Sequence, residues 1–339
     1  MMSTRFVCFG ELLLRLGAPG RELLLQSPHL DVHVGGAEAN VAVALAHFGH
    51  VVALVSSVPE NALGKAALGE MRRHGVDTTG ITRKPGRMGL YFIETGAAQR
   101  PSDVLYDRAD SAFARVLPES YDWPYLLAGA QVLHVSGVTP AVGANAASAA
   151  IAAVKAARAA GLDVVFDGNF RSKLWQAWDG DASAILHEIF ACADLVFADH
   201  RDIAIALNRD FSAVRHDDIA QVATDAAFAA FPQLKRIAAT QRRQHSVDHH
   251  ELSATLFTRD GVIETPGYSM TPIVDRVGGG DAFAAGMLHG LYSGMSDADS
   301  LNFGLAAACL KHSVPGDFLR LETTDVAAFL GEQRFDIRR

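Results

Sequence analysis

The 339-residue chain carries 30 Lys and Arg against 38 Asp and Glu, a net charge of −8, and is 49% hydrophobic. An acidic balance with no dense Lys/Arg block excludes the electrostatic footprint of a nucleic-acid binder, and the composition is that of a globular protein long enough to bury a large core. The start, MMSTRFVCFGELLLRLG, lacks a basic segment followed by a long apolar core, and the Ala-rich run near 146–160 is interrupted by Lys155 and Arg158, so neither secretion nor membrane insertion is supported.

Short apolar runs alternate with longer segments of helical periodicity, the rhythm of a parallel sheet covered by helices. In chain order the pattern predicts a strand at RFVCF (5–9), a helix near 37–48, a strand at VVALVSS (51–57), a helix near 61–74 and a strand at QVLHVS (131–136). A helix near 141–160, a strand at LDVVFD (162–167), a helix near 182–192 and a strand at DLVFA (194–198) follow. The series ends with a helix near 216–230, a strand at KRIAAT (235–240) and helices near 280–293 and 297–312. Residues 12–34 and 88–109 break the rhythm: rich in Leu, Val and Tyr with Gly and Pro turns, they read as inserted strands that could form a lid over the binding face. No linker interrupts the series, so one α/β domain is expected over 1–339. Cys8, Cys192 and Cys309 lie far apart in apolar surroundings, which fits buried thiols in a reducing, cytoplasmic setting better than disulfides or a zinc site. His245, His249 and His250 fall in a polar connection and read as a solvated loop.

The stretch DRVGGGDAFAAG at 275–286 places Gly278, Gly279 and Gly280 directly before an acid and an apolar helix. Backbone freedom of that kind serves an anion, a cofactor or a tight turn. A helix N-terminus leaves N–H groups free, and bare glycines let them converge on a negative group. Gly286 and Gly290 give the helix a face for close packing against the sheet. A dinucleotide fingerprint would need glycine at 283, where Phe283 stands, and PENALGKAA at 59–67 lacks the P-loop's first glycine and its Ser or Thr. Asp281 beside an anion-binding backbone is suited to accept a hydroxyl proton while the N–H groups stabilise a transferring phosphoryl group, the arrangement of a kinase acting on an alcohol.

DRVGGGD resembles the Asp-x-x-Gly-x-Gly-Asp run of the ribokinase-like, or PfkB-type, sugar kinases, and VGGAEANVAVALAHFG at 34–49 resembles the sugar-facing glycine pair and Asn of the same family. Gly10 and Glu11, YDRADSAF (106–113), DGNFRSKLW (167–175) and KHSVPGDF (311–318) are similar to the 2-keto-3-deoxygluconate kinases within it. The resemblance implies a ribokinase-like three-layer α/β sandwich with a mainly parallel sheet and a small β lid. It implies transfer of the γ-phosphate of ATP to the 6-hydroxyl of the acid sugar, with Asp281 as base and Gly278–Gly280 as anion hole.

By the same resemblance, Gly36 and Asn40 meet substrate hydroxyls, Tyr91 and Tyr106 line the sugar pocket from the lid, and Asp317 is a further sugar contact. On pattern alone the tyrosines fit sheet packing equally well. Arg108 and Arg171 would hold the acid end, for which a guanidinium supplies a forked pair of donors. Thr240 and Arg242 would border the phosphates, and Mg²⁺ would be held largely by ATP and water. The family's Asn-x-x-Glu motif is replaced by DHRD, Asp199 to Asp202. A monovalent cation such as K⁺ is implied near Asp275 and the loop after Lys311, although Asp275 reads equally well as a turn cap; the role of Glu11 stays open. Exposed lid edges suggest a homo-oligomer. The rival readings are a fructose, ribose or nucleoside kinase of the same fold, a non-catalytic sugar-binding regulator, and an oxidoreductase, which lacks its glycine fingerprint.

Overall fold

A computed structural model of the chain describes residues 4–331; the two ends of the expected 1–339 domain lie outside the described residues. The strands are β1 (Arg5–Phe9), β2 (Leu13–Gly17), β3 (Asp31–Gly35), β4 (Val51–Pro59), β5 (Ile81–Lys84), β6 (Leu90–Glu94) and β7 (Asp103–Asp107). They continue with β8 (Val132–Ser136), β9 (Asp163–Asp167), β10 (Leu195–Phe197), β11 (Arg236–Gln244), β12 (His250–Thr258), β13 (Val262–Glu264) and β14 (Tyr268–Met270).

The main sheet runs β13-β12-β11-β10-β9-β8-β1-β4-β5, with β14 also paired to β12. It is parallel from β5 across to β11 and antiparallel beyond. Phe6, Val7, Cys8 and Phe9 of β1 are fully buried, as a strand covered on both faces requires. Their alternation separates two cores. Phe6 and Cys8 pack with the helices Ala37–His47, Gly279–Tyr292 and Asp297–Lys311, whereas Val7 and Phe9 pack with Ala144–Ala159, Ala182–Phe190 and Ile219–Ala230. The result is a three-layer sandwich.

From β1 the chain builds first toward β4 and β5 and then, from β8 onward, in the opposite direction. The sheet therefore has a switch point between β1 and its neighbours, and a crevice opens beyond the carboxyl ends of those strands. The inserted stretches form a separate four-stranded sheet, β3-β2-β6-β7, whose outer pairs are antiparallel and whose inner pair is parallel. This is the expected lid. Among the described residues no helix is long and apolar enough to cross a membrane.

Three expectations change. The helix near 141–160 is two, Val138–Ala141 and Ala144–Ala159, with Gly143 as the extended N-cap of the second. His250 is fully buried at the start of β12 and only His245 and His249 belong to the connection, their rings stacked with centroids 4.6 Å apart. Gly286 and Gly290 pack against the neighbouring helix Asp297–Lys311 instead of the sheet: a Cβ on Gly290 would lie 2.6 Å from Ser300 Cα, and one on Gly286 would lie 2.9 Å from Gly304 Cα. Backbone contact of that kind leaves no room for a side chain. Gly290→Val should therefore cost about 1–3 kcal/mol of stability through overpacking. Urea denaturation would read this as a lower midpoint with unchanged slope, and an unmoved midpoint would refute the close helix contact.

Candidate active site

A cavity of about 400 Å³ occupies the crevice, with the lid as its roof. The main sheet contributes Asp167 at the end of β9, with Asn169 and Arg171 just after it, and the lid contributes Tyr91, Tyr106 and Arg108. Gly36 and Asn40 come from the start of the helix Ala37–His47, and Gly278–Gly280 and Asp281 from the start of Gly279–Tyr292. Asp317 and Arg242 complete this gathering of sequence-selected residues. Thr240 lies exposed on β11 and does not line the cavity.

The three glycines are glycine for three different reasons. Gly278 has φ +78°, and a Cβ there would meet Asp317 O at 2.1 Å; a Cβ on Gly279 would meet His312 Cε1 at 2.8 Å. Around Gly280 nothing lies within 4 Å of an added Cβ, and the residue lines the cavity. Its bareness serves no internal packing. It leaves the first N–H groups of a 14-residue helix accessible to an anion.

Asp281, in the first turn, is 9% exposed and accepts from Asn40 Nδ2 at 2.6 Å. Burial pushes its carboxyl up to about 7; Glu38 and Asp317 add to the rise, while the Asn40 hydrogen bond and Arg171 oppose it. Asn40 is itself held through Glu38, which lay unremarked within GGAEAN. Glu38 is buried, accepts from Ser136 N and Oγ at 2.8 Å and from Thr139 Oγ1 at 2.7 Å, and so pins the helix to the end of β8. A Cβ on Gly10 would strike the same carboxylate at 2.0 Å, which accounts for the glycine of the Gly10–Glu11 pair.

The arginines differ in freedom. Arg108 is buried with its Nε 2.6 Å from Glu11 Oε2, and Ser111 Oγ donates to the other oxygen of the same carboxylate. Glu11 thus anchors the arginine. Arg171 is exposed at the N-cap of the helix Ser172–Gln176, and among the described residues the one hydrogen bond of its side chain is a long donation, 3.3 Å, to Phe170 O. Tyr91 donates to Asp317 Oδ2 at 2.7 Å, and Asp317 Oδ1 lies 3.1 Å from Arg15 Nε, so these two expected sugar contacts are also partners of one another. Arg15, on lid strand β2, was not visible as a site residue in the sequence.

DHRD forms the capping box of the helix His200–Ala206. Asp199 pairs with Arg201, whereas Asp202 faces the Asp167–Gly168 turn, where a Cβ on Gly168 would lie 2.7 Å from its Cγ. Burial, with Asp199 adding, pushes Asp202 up to about 6, and burial followed by Asp281 and Asp202 pushes Asp167 up as well.

The surroundings of Asp275 do not fit a monovalent cation. Its Oδ2 accepts from Arg15 Nη2 at 2.7 Å and Gly316 N at 3.0 Å, and its Oδ1 from Val277 N at 3.0 Å. It caps the turn. Burial alone would raise its pKa, but Arg15, Lys311 and the Val277 N–H together outweigh burial and hold the carboxyl below its ordinary value.

A second cavity, about 680 Å³, lies between β14, the end of the helix Asp297–Lys311 and the helix Thr323–Leu330. Tyr268, Met270, Pro272, Leu310 and Phe329 give it apolar walls, and His312 connects it to the far side of Gly279. His312 Nδ1 meets Ala308 O at 2.7 Å, while its buried Nε2 has no partner. The sequence marks its neighbourhood only for a sugar contact and a monovalent cation.

A carboxylate raised toward neutrality and a bare helix N-terminus thus share one cavity, a combination of groups typical of functional sites. The chain belongs to the pfkB family of carbohydrate kinases, whose model matches residues 3–323. It is 32% identical over 329 residues to a 2-dehydro-3-deoxygalactonokinase of Haloferax volcanii, covering 97% of each chain. It is 27% identical over 336 residues to a 2-dehydro-3-deoxygluconokinase of Bacillus subtilis, covering 98% of this chain and 97% of that one. Among solved structures, the 2-dehydro-3-deoxygluconokinase of Thermotoga maritima superposes with a TM-score of 0.90 at 34% identity, covering 97% of this chain and 99% of that one.

The raised carboxyl has a thermodynamic consequence. The folded chain keeps a proton on Asp281 that the unfolded chain releases, so this group lowers stability as pH rises from about 4 to about 7. Asp281→Asn should therefore raise the melting temperature at pH 8, less at pH 5, and little at pH 3. An equal shift at all these pH values would mean that the carboxylate is not destabilised by burial.

Proposed function

We propose that this kinase transfers the γ-phosphate of ATP to the 6-hydroxyl of 2-keto-3-deoxygluconate, the acid that the relatives' names call 2-dehydro-3-deoxygluconate. The observation that carries the reading is the buried Asp281, held by Asn40 beside the open face of Gly280. The sugar lies under the lid with its carboxylate toward Arg171, the arginine with donors to spare, and Arg108 sets the wall beside it. Its terminal hydroxyl then points to Asp281. As the new O–P bond forms, Asp281 takes the hydroxyl proton, the helix N–H groups hold the charge on the phosphoryl oxygens, and ADP leaves on the opposite side. Closure of the lid excludes water, which would otherwise compete as acceptor.

The nucleotide base occupies the second cavity. His312 supports this placement: with Nδ1 donating to Ala308 O and burial pushing the ring down to about 4, the imidazole is neutral and Nε2 is an acceptor suited to an exocyclic amine. Arg242 and Arg276 line the first cavity near the glycine loop and suit the phosphate chain. Asp167 and Asp202 carry the carboxyl oxygens that would hold Mg²⁺, directly or through water. The ion, when bound, neutralises charge on the phosphates. A second reading, the epimeric galactonate acid, is favoured by the name of the Haloferax volcanii relative.

A coupled ATP assay with both acids beside gluconate, fructose and ribose tests the reading; turnover of the neutral sugars alone would overturn it. Asp281→Asn should lower kcat by about 10²-fold or more with sugar binding retained, and the wild-type rate should fall as pH drops below about 7. Arg171→Ala should raise KM for the acid roughly ten- to hundredfold while leaving kcat nearly unchanged. Gly280→Val is the most discriminating change. It should leave the melting temperature near that of the wild type and yet abolish most turnover, because its side chain enters only ligand space; normal kinetics in this variant would remove the glycine loop from the mechanism.

A further inference from the structure

Lys311 is fully buried, with its Nζ 2.9 Å from Val314 O and its Cε 3.3 Å from where a Cβ on Gly278 would stand. A buried ammonium is rare and costly unless its surroundings compensate it. Here they do. Asp275 and Asp317 are the acidic neighbours, Arg15 bridges both of them, and together the four side chains form two positive and two negative charges behind the glycine loop. An additional cation would leave that group with unbalanced positive charge.

Several of the oxygens that could ligate a cation there already accept hydrogen bonds or the Lys311 ammonium. Asp275 accepts three donors. In the loop after the helix, His312 O accepts from Val274 N and Asp275 N, Leu310 O from Ser313 N and Oγ, Lys311 O from Val314 N, and Val314 O from Lys311 itself.

We infer that Lys311 supplies from within the chain the fixed positive charge that a monovalent cation would supply behind Gly278, so that phosphoryl transfer in this protein is independent of K⁺. The inference rests on the kinase reading only for its activity readout. The ammonium lies on the side of the loop away from the sugar, where it supports negative charge gathered at the loop and fixes the 311–317 turn that presents Asp317.

The test compares KCl, NaCl and tetramethylammonium chloride at equal ionic strength. Wild-type turnover should agree within about twofold among them, the melting temperature should not respond to K⁺ beyond its response to tetramethylammonium, and thallous ion should show no saturable binding by ²⁰⁵Tl NMR. Lys311→Ala should lower turnover by tenfold or more and regain it in methylammonium or KCl. Saturable stimulation of the wild type by K⁺, saturable thallous binding, or full activity of Lys311→Ala without added cation would each overturn the inference. Thallous binding and melting need no turnover, so they decide the cation question even if no sugar in the panel is phosphorylated, and the wild-type measurements decide it even if the alanine variant fails to fold.

Discussion

The site depends on keeping a carboxylate buried and yet usable. Asp281 stands in the first turn of a helix inside a crevice that disfavours its anion, and burial pushes its carboxyl up to about 7 against the opposing hydrogen bond from Asn40. The balance holds only while Asn40 stays in place. Asn40 stays because Glu38 fastens its helix to the end of β8. Two sets of hydrogen bonds on one helix therefore link the central sheet to the Asp281 carboxyl.

The lid is tied to the body by charge as well as by apolar packing, in which Leu14 of β2 joins the core and Val34 and Leu90 pack against it. Arg15 of β2 reaches Asp275 and Asp317, Tyr91 of β6 reaches Asp317, and Arg108, following β7, reaches Glu11 at the end of β1. Ion pairs of this burial are specific in geometry and fail sharply when one partner is lost. They make the position of the lid a property of the same loops that carry the glycine run and the turn after Lys311, so closure over the sugar and the shape of the anion site are not independent.

Much of the fold was legible because it is set by local periodicity. The apolar runs that became β1, β4 and β8 to β11, and the two lid insertions, announce themselves by length and turn residues. β12 was missed, because HELSATLFT carries polar residues at positions the sheet nonetheless covers. The split at Gly143 and the helix-to-helix packing of Gly286 and Gly290 were also missed, since periodicity tells that a face is buried without telling what buries it.

By itself the sequence determined the family, the strands β1, β4 and β8 to β11 and the backbone demands at Gly278 to Gly280, because those depend on residues adjacent in the chain or on whole motifs. It also brought forward Asn40, Asp281, Arg171 and Asp317, all of which the structure gathers around one cavity. Only the tertiary structure decided what each polar group is free to do. Arg108 and Arg171 look alike in sequence, but one is held by Glu11 and the other is not; Asp275 reads in the sequence as cation ligand or turn cap alike, and in the fold Arg15, from a strand far away in the chain, takes its oxygen. A donor or acceptor has few partners to give, and which long-range neighbour takes them is settled when the chain packs.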